Sequence, residues 1–290
     1  MSSTVTVGID GSRESLAATV WAADEALSRG LPLRLLKVWG SDDDIRSRRI
    51  DLDTARVWGE RSLHTVERRL RRRRPGLQVE TAWISGDPAD ALCTAGNDAE
   101  LLVLGSRGLS GLTGYLAGSV SLAVLSRMRR PGVLVRPQAT SVPKEHGPAG
   151  DIVLGLDLAR PSEEMLEFAF AGADRYGCAV RVLYSWAMPL VHGPDMAGAL
   201  PLLRAELEEE WHQALDGALA PWTKKYPAVP VIRQCQQGRP AQDLVKATHE
   251  ARLVVVGRRN RHSRIGTHIG AVTHAVVHHS SAPIAVVPHD

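Results

Sequence analysis

Short apolar runs alternate with longer amphipathic runs along the first half of the chain. The β-branched run from Thr4 to Ile9 predicts a first strand, and Ser12 stands where it can cap the helix that follows. Four apolar residues at helical spacing predict the buried face of that helix: Leu16, Val20, Ala23 and Leu27. Further strands are predicted at 33–39, 78–84, 101–105 and 133–135, with helices at 52–74, at 88–95 and from 119. Strands alternating with helices indicate a parallel sheet covered on both faces.

The same pattern begins again near residue 151. Ile152-Val-Leu-Gly155-Leu-Asp157 repeats Val5-Thr-Val-Gly8-Ile-Asp10, and Leu253-Val-Val-Val256-Gly257 repeats Leu101-Leu-Val-Leu104-Gly105. Matched landmarks of this kind indicate an internal duplication. The polar, proline-containing stretch at 138–150 is typical of a linker, so we expect one domain at 1–137 and a second at 151–290.

A glycine-rich stretch between the fourth strand and the next helix is the main candidate for chemistry. It runs Gly105-Ser-Arg107-Gly108-Leu-Ser-Gly111 and resumes as Gly118-Ser119-Val120-Ser121. Glycines let the backbone approach a ligand, and the first N–H groups of a helix point towards it, so the stretch predicts an anion site. The alternative is a glycine loop that only turns the chain. The stretch is not a P-loop, because the chain contains no Gly-Lys pair, and its glycine spacing is not that of a dinucleotide fingerprint.

The spacing Gly-x2-Gly-x9-Gly-Ser resembles that of the universal stress protein family, whose ATP-binding members carry this loop. Gly105, Gly108, Gly118 and Ser119 fill its four positions, and the resemblance extends over nearly all of both halves. It implies an α/β fold of two tandem, doubly wound, five-stranded parallel sheets, flavodoxin-like or Rossmann-like, with strand order 3-2-1-4-5. It also implies that the halves pair through their fifth strands, and that two chains can associate into a homodimer.

That strand order would place the ends of the first and fourth strands side by side, so that Asp10 and Gly105 share one crevice. Asp10 suits the hydroxyls of a ribose or the edge of a base better than a phosphate, because both it and a phosphate are negative. Its alternative role is to cap the next helix. The resemblance implies ATP as the ligand, with or without Mg²⁺, and adenine near Gly8, Ile9 and the backbone of Val38.

Two side chains of the predicted loop have open alternatives. Ser119 is placed either to cap the helix or to donate its hydroxyl to a phosphate. Arg107 is placed either to pair with phosphate oxygens or to remain a solvated loop residue.

The second half departs from the loop pattern. It keeps Gly155 and Asp157, and it keeps the first and last loop glycines as Gly257 and Gly270. The second loop glycine is replaced by Asn260, and the serine is replaced by Ala271, which removes one hydroxyl. Ser263 and four arginines remain in or near this loop as further candidates for a phosphate: Arg258, Arg259, Arg261 and Arg264. We therefore expect the tighter nucleotide site in the first half and a weaker or empty one in the second.

Composition and charge exclude several other classes. A net charge of +3 is too small to predict nucleic acid as the main partner, and no apolar run reaches the length of a membrane span. Three cysteines, an odd number without metal-like spacing, together with an N-terminus unlike a signal peptide, favour the cytoplasm. No metal-binding or hydrolase motif occurs. The sequence thus predicts an ATP-binding stress sensor or regulator without significant turnover. The alternatives are a slow ATPase or nucleotidyl transferase and a structural module with a vestigial site.

Overall fold

Ten strands form one continuous sheet in the computed structural model, which describes residues 3–40, 52–106, 118–137, 150–188, 200–260 and 269–290. The strands of the first half are β1 (Val5–Gly8), β2 (Leu33–Trp39), β3 (Val79–Ser85), β4 (Leu101–Gly105) and β5 (Gly132–Val135). Those of the second half are β6 (Asp151–Gly155), β7 (Val180–Trp186), β8 (Val231–Gln237), β9 (Ala251–Arg259) and β10 (Ile284–His289).

Helices connect these strands in both halves. The first half contains α1 (Arg13–Arg29), α2 (Leu52–Arg73), α3 (Pro88–Asn97) and α4 (Ser119–Arg127). The second half contains α5 (Glu163–Tyr176), α6 (Leu200–Lys225), α7 (Pro240–Ala247) and α8 (Ala271–His279), with a short 3-10 turn at Thr248–Glu250. Ser12 caps α1 by accepting a hydrogen bond from the backbone N–H of Ser15, as predicted.

The strand order confirms the predicted fold class. The sheet runs β3-β2-β1-β4-β5-β10-β9-β6-β7-β8, so each half has the order 3-2-1-4-5 with parallel neighbours. The two halves meet where β5 and β10 pair antiparallel, with Ala285 opposite Val133. The predicted pairing through the fifth strands is therefore present, and each of these strands covers the other's edge.

The hydrophobic core continues across this junction on both faces of the sheet. Val133 and Val135 pack in the same cluster as Ala285 and Val287, whereas Leu134 packs on the opposite face with Ile284 and Val286. Because successive side chains of a strand point to opposite faces, a strand buried on both sides must be apolar at every position. The two halves therefore share two cores rather than each having its own.

The buried face of α1 differs from the prediction. Leu16, Val20 and Leu27 are exposed, and the buried face consists mainly of small residues: Ser15, Ala18, Thr19, Ala22, Ala23 and Ala26. The helix lies so close to the sheet that a Cβ added at Gly105 would come within 2.6 Å of the backbone of Glu14. At this distance only short side chains fit between helix and strands, so the larger apolar residues lie at the flank.

A buried carboxylate links α1 to α5 across the junction. Glu25 has 2% of its surface exposed and accepts from Arg29 Nε at 2.6 Å, from Arg175 Nη2 at 3.4 Å and from the hydroxyl of Tyr176. Burial lowers the pKa of the Arg175 guanidinium and the charge of Arg29 adds to this, while Glu25 opposes it. Glu25 of the first half is thus paired with Arg29 of its own helix and with Arg175 and Tyr176 of the second half.

Within the ranges that the structure describes, no helix is both long and apolar enough to cross a membrane.

Candidate functional site

A crevice of about 330 Å³ lies at the carboxyl ends of β1 and β4 in the first half. This is the position where an open parallel sheet binds ligands, because the winding reverses there. The crevice is lined by every predicted first-half site residue that the structure describes: Gly8, Ile9, Asp10, Val38, Gly105, Gly118, Ser119, Val120 and Ser121. Residues far apart in the sequence are thereby brought into one site.

Asp10 stands at the rim of this crevice, directly after β1. Its Oδ1 accepts hydrogen bonds from the backbone N–H of Ser12 at 2.9 Å and from the Ser12 hydroxyl at 2.5 Å. Ser12 Oγ in turn accepts from Ser15 N and caps α1. The alternative role of Asp10, to cap α1, is therefore wrong, because Ser12 is the cap. Asp10 instead orients Ser12. These bonds fix the carboxylate at the mouth of the crevice.

The helix α4 begins with residues that line the same crevice. Its N-cap is Gly118, with φ −59° and ψ 148°, and none of the described side chains hydrogen-bonds to its first N–H groups. The predicted capping role of Ser119 is therefore wrong, because Ser119 is the first residue inside the helix; donation to a ligand remains a prediction. A Cβ added at Gly118 would meet no described atom within 4 Å. Among the described residues, none caps the N-terminus of this helix with its side chain, and such a helix N-terminus suits an anion.

The glycines of this crevice have different physical causes. Gly105 is required by the close approach of α1, as described above, and a Cβ at Gly8 would come within 2.9 Å of the side chain of Leu104. A Cβ at Gly118, by contrast, would meet none of the atoms that the structure describes. Ser121 ties α4 to β4, because its hydroxyl donates to the carbonyl of Gly105 at 3.3 Å. Packing therefore explains Gly8 and Gly105, and Gly118 is the glycine that leaves room for a ligand.

Several predicted residues lie outside the described parts of the chain. These are Arg107, Gly108 and Gly111 in the first half and Arg261, Ser263 and Arg264 in the second. Their predicted contacts with phosphate therefore stay predictions.

The second half has a matching crevice of about 610 Å³. Five of the predicted residues line it: Gly155, Asp157, Gly257, Arg259 and Gly270. Asn260 is not among its described lining residues; its backbone N–H and side-chain amide bond instead to the chain end, at His289 O and Asp290 Oδ1. Thr273 donates to the carbonyl of Gly257 at 2.6 Å, just as Ser121 does to Gly105. The framework of the crevice is retained.

The chemistry at the rim of this second crevice differs. Asp157 Oδ2 accepts from Arg259 Nη2 at 2.8 Å, so the acid that matches Asp10 is paired with a cation of its own half. Burial raises the pKa of Tyr184, which lines the crevice, and the charge of Asp157 adds to the shift.

The strand β9 continues through Arg259, two residues past Gly257, whereas β4 ends at Gly105. Arg258 and Arg259 are therefore strand residues rather than loop residues. Arg258 is wrongly predicted as a phosphate ligand: it is buried, and its guanidinium donates to the carbonyl of Met128 in the first half and to Asn260 Oδ1.

The pattern of the sequence missed part of the first crevice. The lining that it missed consists of four apolar residues and two serines at the start of α1: Leu36, Pro88, Leu92, Leu104, Ser12 and Ser15. Strand parity was the signal for Leu36, because it stands two residues before Val38 and so faces the same side. The residues of α3 needed the tertiary structure. In the described ranges, no group of three His, Cys, Asp or Glu is placed to hold a metal ion.

Two tandem, doubly wound α/β halves, each with a helix opened by glycine at the carboxyl ends of its strands, define the class of this protein. The model of the universal stress protein family matches residues 1–136 and again 149–288. The chain therefore belongs to the universal stress protein family.

Relatives and solved structures are similar over almost the whole length. The universal stress protein Rv2005c of Mycobacterium tuberculosis is 32% identical over 97% of this chain and 96% of its own length. The universal stress protein Rv1996 of the same organism is 28% identical over 99% and 96%. The crystal structure of a universal stress protein from Archaeoglobus fulgidus has a TM-score of 0.71 at 20% identity, with full coverage of both chains, which supports the fold.

Proposed function

We propose that the first half binds an adenine nucleotide, ATP, and that the protein acts as a stress sensor or regulator rather than by turnover. The observation that carries the proposal is the convergence of a fixed carboxylate, Asp10, and an open helix N-terminus, Gly118-Ser119, on one crevice. A carboxylate accepts hydrogen bonds from the hydroxyls of a sugar, and a helix N-terminus binds phosphate. A crevice lined by both groups therefore suits a nucleotide, which has a sugar and a phosphate.

The remaining lining supports the same orientation. Leu36, Val38, Pro88 and Leu92 give an apolar slot next to Asp10, which suits a base, and the base edge would pair with the backbone of Val38. No atom of the described residues lies within 4 Å of a Cβ built at Gly118, and the phosphates would lie there against the N–H groups of Ser119 to Ser121. Arg107, in the adjoining loop, would add a cation. Mg²⁺, if it accompanies ATP, would be held mainly by the phosphates.

The described lining of the crevice supports the proposal of slow or absent turnover. The described lining includes serines and one aspartate, and Asp10 is held by Ser12 at the sugar end rather than at the phosphate end. No Walker lysine occurs in the sequence. We propose that other components of the cell distinguish the nucleotide-bound protein from the nucleotide-free protein. The three cysteines are free thiols, which agrees with the cytoplasm as the proposed location.

The test is to ask what the purified protein carries and how many sites it has. Mass spectrometry of the denatured protein should detect ATP or ADP, and calorimetric titration of the nucleotide-free protein should show about one tight site per chain. No nucleotide and no binding would favour a vestigial site, and two sites of equal affinity would show that the halves do not differ.

A further inference from the structure

The C-terminus of α4 is held by a side chain from the other half of the molecule. Arg258 on β9 has 4% of its surface exposed, and it donates to the carbonyl of Met128, which is the C-cap of α4. A helix leaves its last four carbonyl groups without partners in the helix, and a cation at that end interacts favourably with the helix dipole. The second half therefore supplies a cap for a helix of the first half.

A second arginine makes the crossed contact. Arg136, which follows β5 and has 7% of its surface exposed, donates to the carbonyls of Val277 and Ser280. Ser280 is the C-cap of α8, so it occupies the position that Met128 occupies in α4. Arg258 of the second half thus holds the C-terminus of α4, whose N-terminus lines the first crevice. Arg136 of the first half in the same way holds the C-terminus of α8, whose N-terminus lines the second crevice.

The length of α4 makes this contact relevant to the crevice. The helix has nine residues, which is about 13 Å of rise. Helices of this length are marginal by themselves and depend on contacts at their ends and along their buried face. The N-terminal end of α4 has no described side-chain cap and faces the crevice. Its position therefore depends on how firmly the rest of the helix is held.

We propose that Arg258 is a positioning residue for the nucleotide site of the first half. By holding the Met128 end of α4, it fixes the N–H groups of Ser119 to Ser121 at the phosphate end of the crevice. The identity of the ligand rests on the proposed function, whereas the hold on α4 does not. The second half gains a role that requires no nucleotide of its own.

The test uses the full chain with Arg258→Met, with Arg258→Lys as the conservative variant, and with Arg136→Met as the matched control that uncaps α8 instead. ATP and adenosine are the probes, because adenosine has the sugar and the base but no phosphate. Arg258→Met should weaken ATP roughly two- to thirtyfold, which is the range of a charge at a helix end, and should leave the affinity for adenosine unchanged. Arg258→Lys should restore the affinity for ATP, and Arg136→Met should leave it as it is.

Hydrogen exchange of the ligand-free protein gives a second readout. Arg258→Met should accelerate exchange of the α4 amides and spare α8, and Arg136→Met should do the reverse. Equal losses of ATP and adenosine, equal effects of the two arginine variants, or unchanged exchange in α4 would each overturn the proposal. If the unchanged protein binds no ATP, the proposed function fails, and the exchange result alone decides whether Arg258 holds α4.

Discussion

The two crevices of this protein share a framework and differ at their rims. In both, a strand containing the first loop glycine lies beside a strand that is followed two residues later by an aspartate. In both, a hydroxyl on the third residue of the helix donates to the carbonyl of that glycine. In the first, Asp10 is held by Ser12 of its own turn; in the second, Asp157 is paired with Arg259. The second crevice is also the larger, at about 610 against 330 Å³. The fold thus maintains a cavity in both halves, and the rim side chains decide what each can bind.

The largest expected difference between the halves concerns the glycine that opens each helix. Gly118→Val should abolish tight ATP binding, because the side chain would fill the space where phosphate meets backbone N–H. The protein should stay folded, because Gly118 has a negative φ and a Cβ there meets no described atom within 4 Å. Calorimetry with ATP, alongside circular dichroism, measures both.

Gly270→Val is the matched control in the second half, since Gly270 opens α8 with a similar backbone and a Cβ there also meets no described atom within 4 Å. It should leave the tight site intact. A tight site that survived Gly118→Val and disappeared in Gly270→Val would reverse the ranking of the halves.

The next difference concerns the two aspartates. Asp10→Asn keeps an oxygen for Ser12 but loses the charge and one acceptor, so it should weaken ATP about ten- to a hundredfold. Asp157→Asn should change the tight affinity little, because Asp157 belongs to the other crevice. Removing one ribose hydroxyl from ATP, as in the deoxyadenosine triphosphates, should reduce the affinity less in Asp10→Asn than in the unchanged protein. Equal losses in both backgrounds would mean that Asp10 does not contact the sugar.

A smaller effect is expected from exchanging the residues at the helix starts. Ser119→Ala should weaken ATP binding at the first site about two- to tenfold, because it removes one hydroxyl. Ala271→Ser should strengthen any binding at the second site by a similar factor, because it adds one hydroxyl. Two-site titrations of both variants report this. No change in either variant would assign the phosphate contacts to the backbone alone.

The smallest expected effect is turnover, for which the halves should be alike. The described lining residues of both crevices include no lysine of the P-loop type, so we expect ATP to be hydrolysed no faster than in buffer. Phosphate release assays measure this over hours. Rates near the ~10 s⁻¹ of an ordinary enzyme would make the protein an ATPase.

The sequence predicted the features that depend on local pattern. The strands, their order and the convergence of Asp10 and Gly105 followed from periodicity, repetition and the resemblance to the family. The face of α1 was wrongly predicted, because hydrophobicity indicated Leu16 and Val20 where close packing needed alanines. The role of Arg258 was missed for a different reason: its partner, the carbonyl of Met128, is 130 residues away and carries no side-chain signal.

The buried Glu25 has a consequence for how such a chain can evolve. In a two-fold dimer of identical domains every contact occurs twice, so one side chain must fit two equivalent places. Here Glu25 stands five residues before the C-cap glycine of α1, and the residue five before the C-cap glycine of α5 is Gly172. The acid is needed once, opposite Arg175 and Tyr176, and its counterpart can be a glycine. With both domains in one chain, this interface need not be symmetric, and the two halves can carry different residues at matching positions.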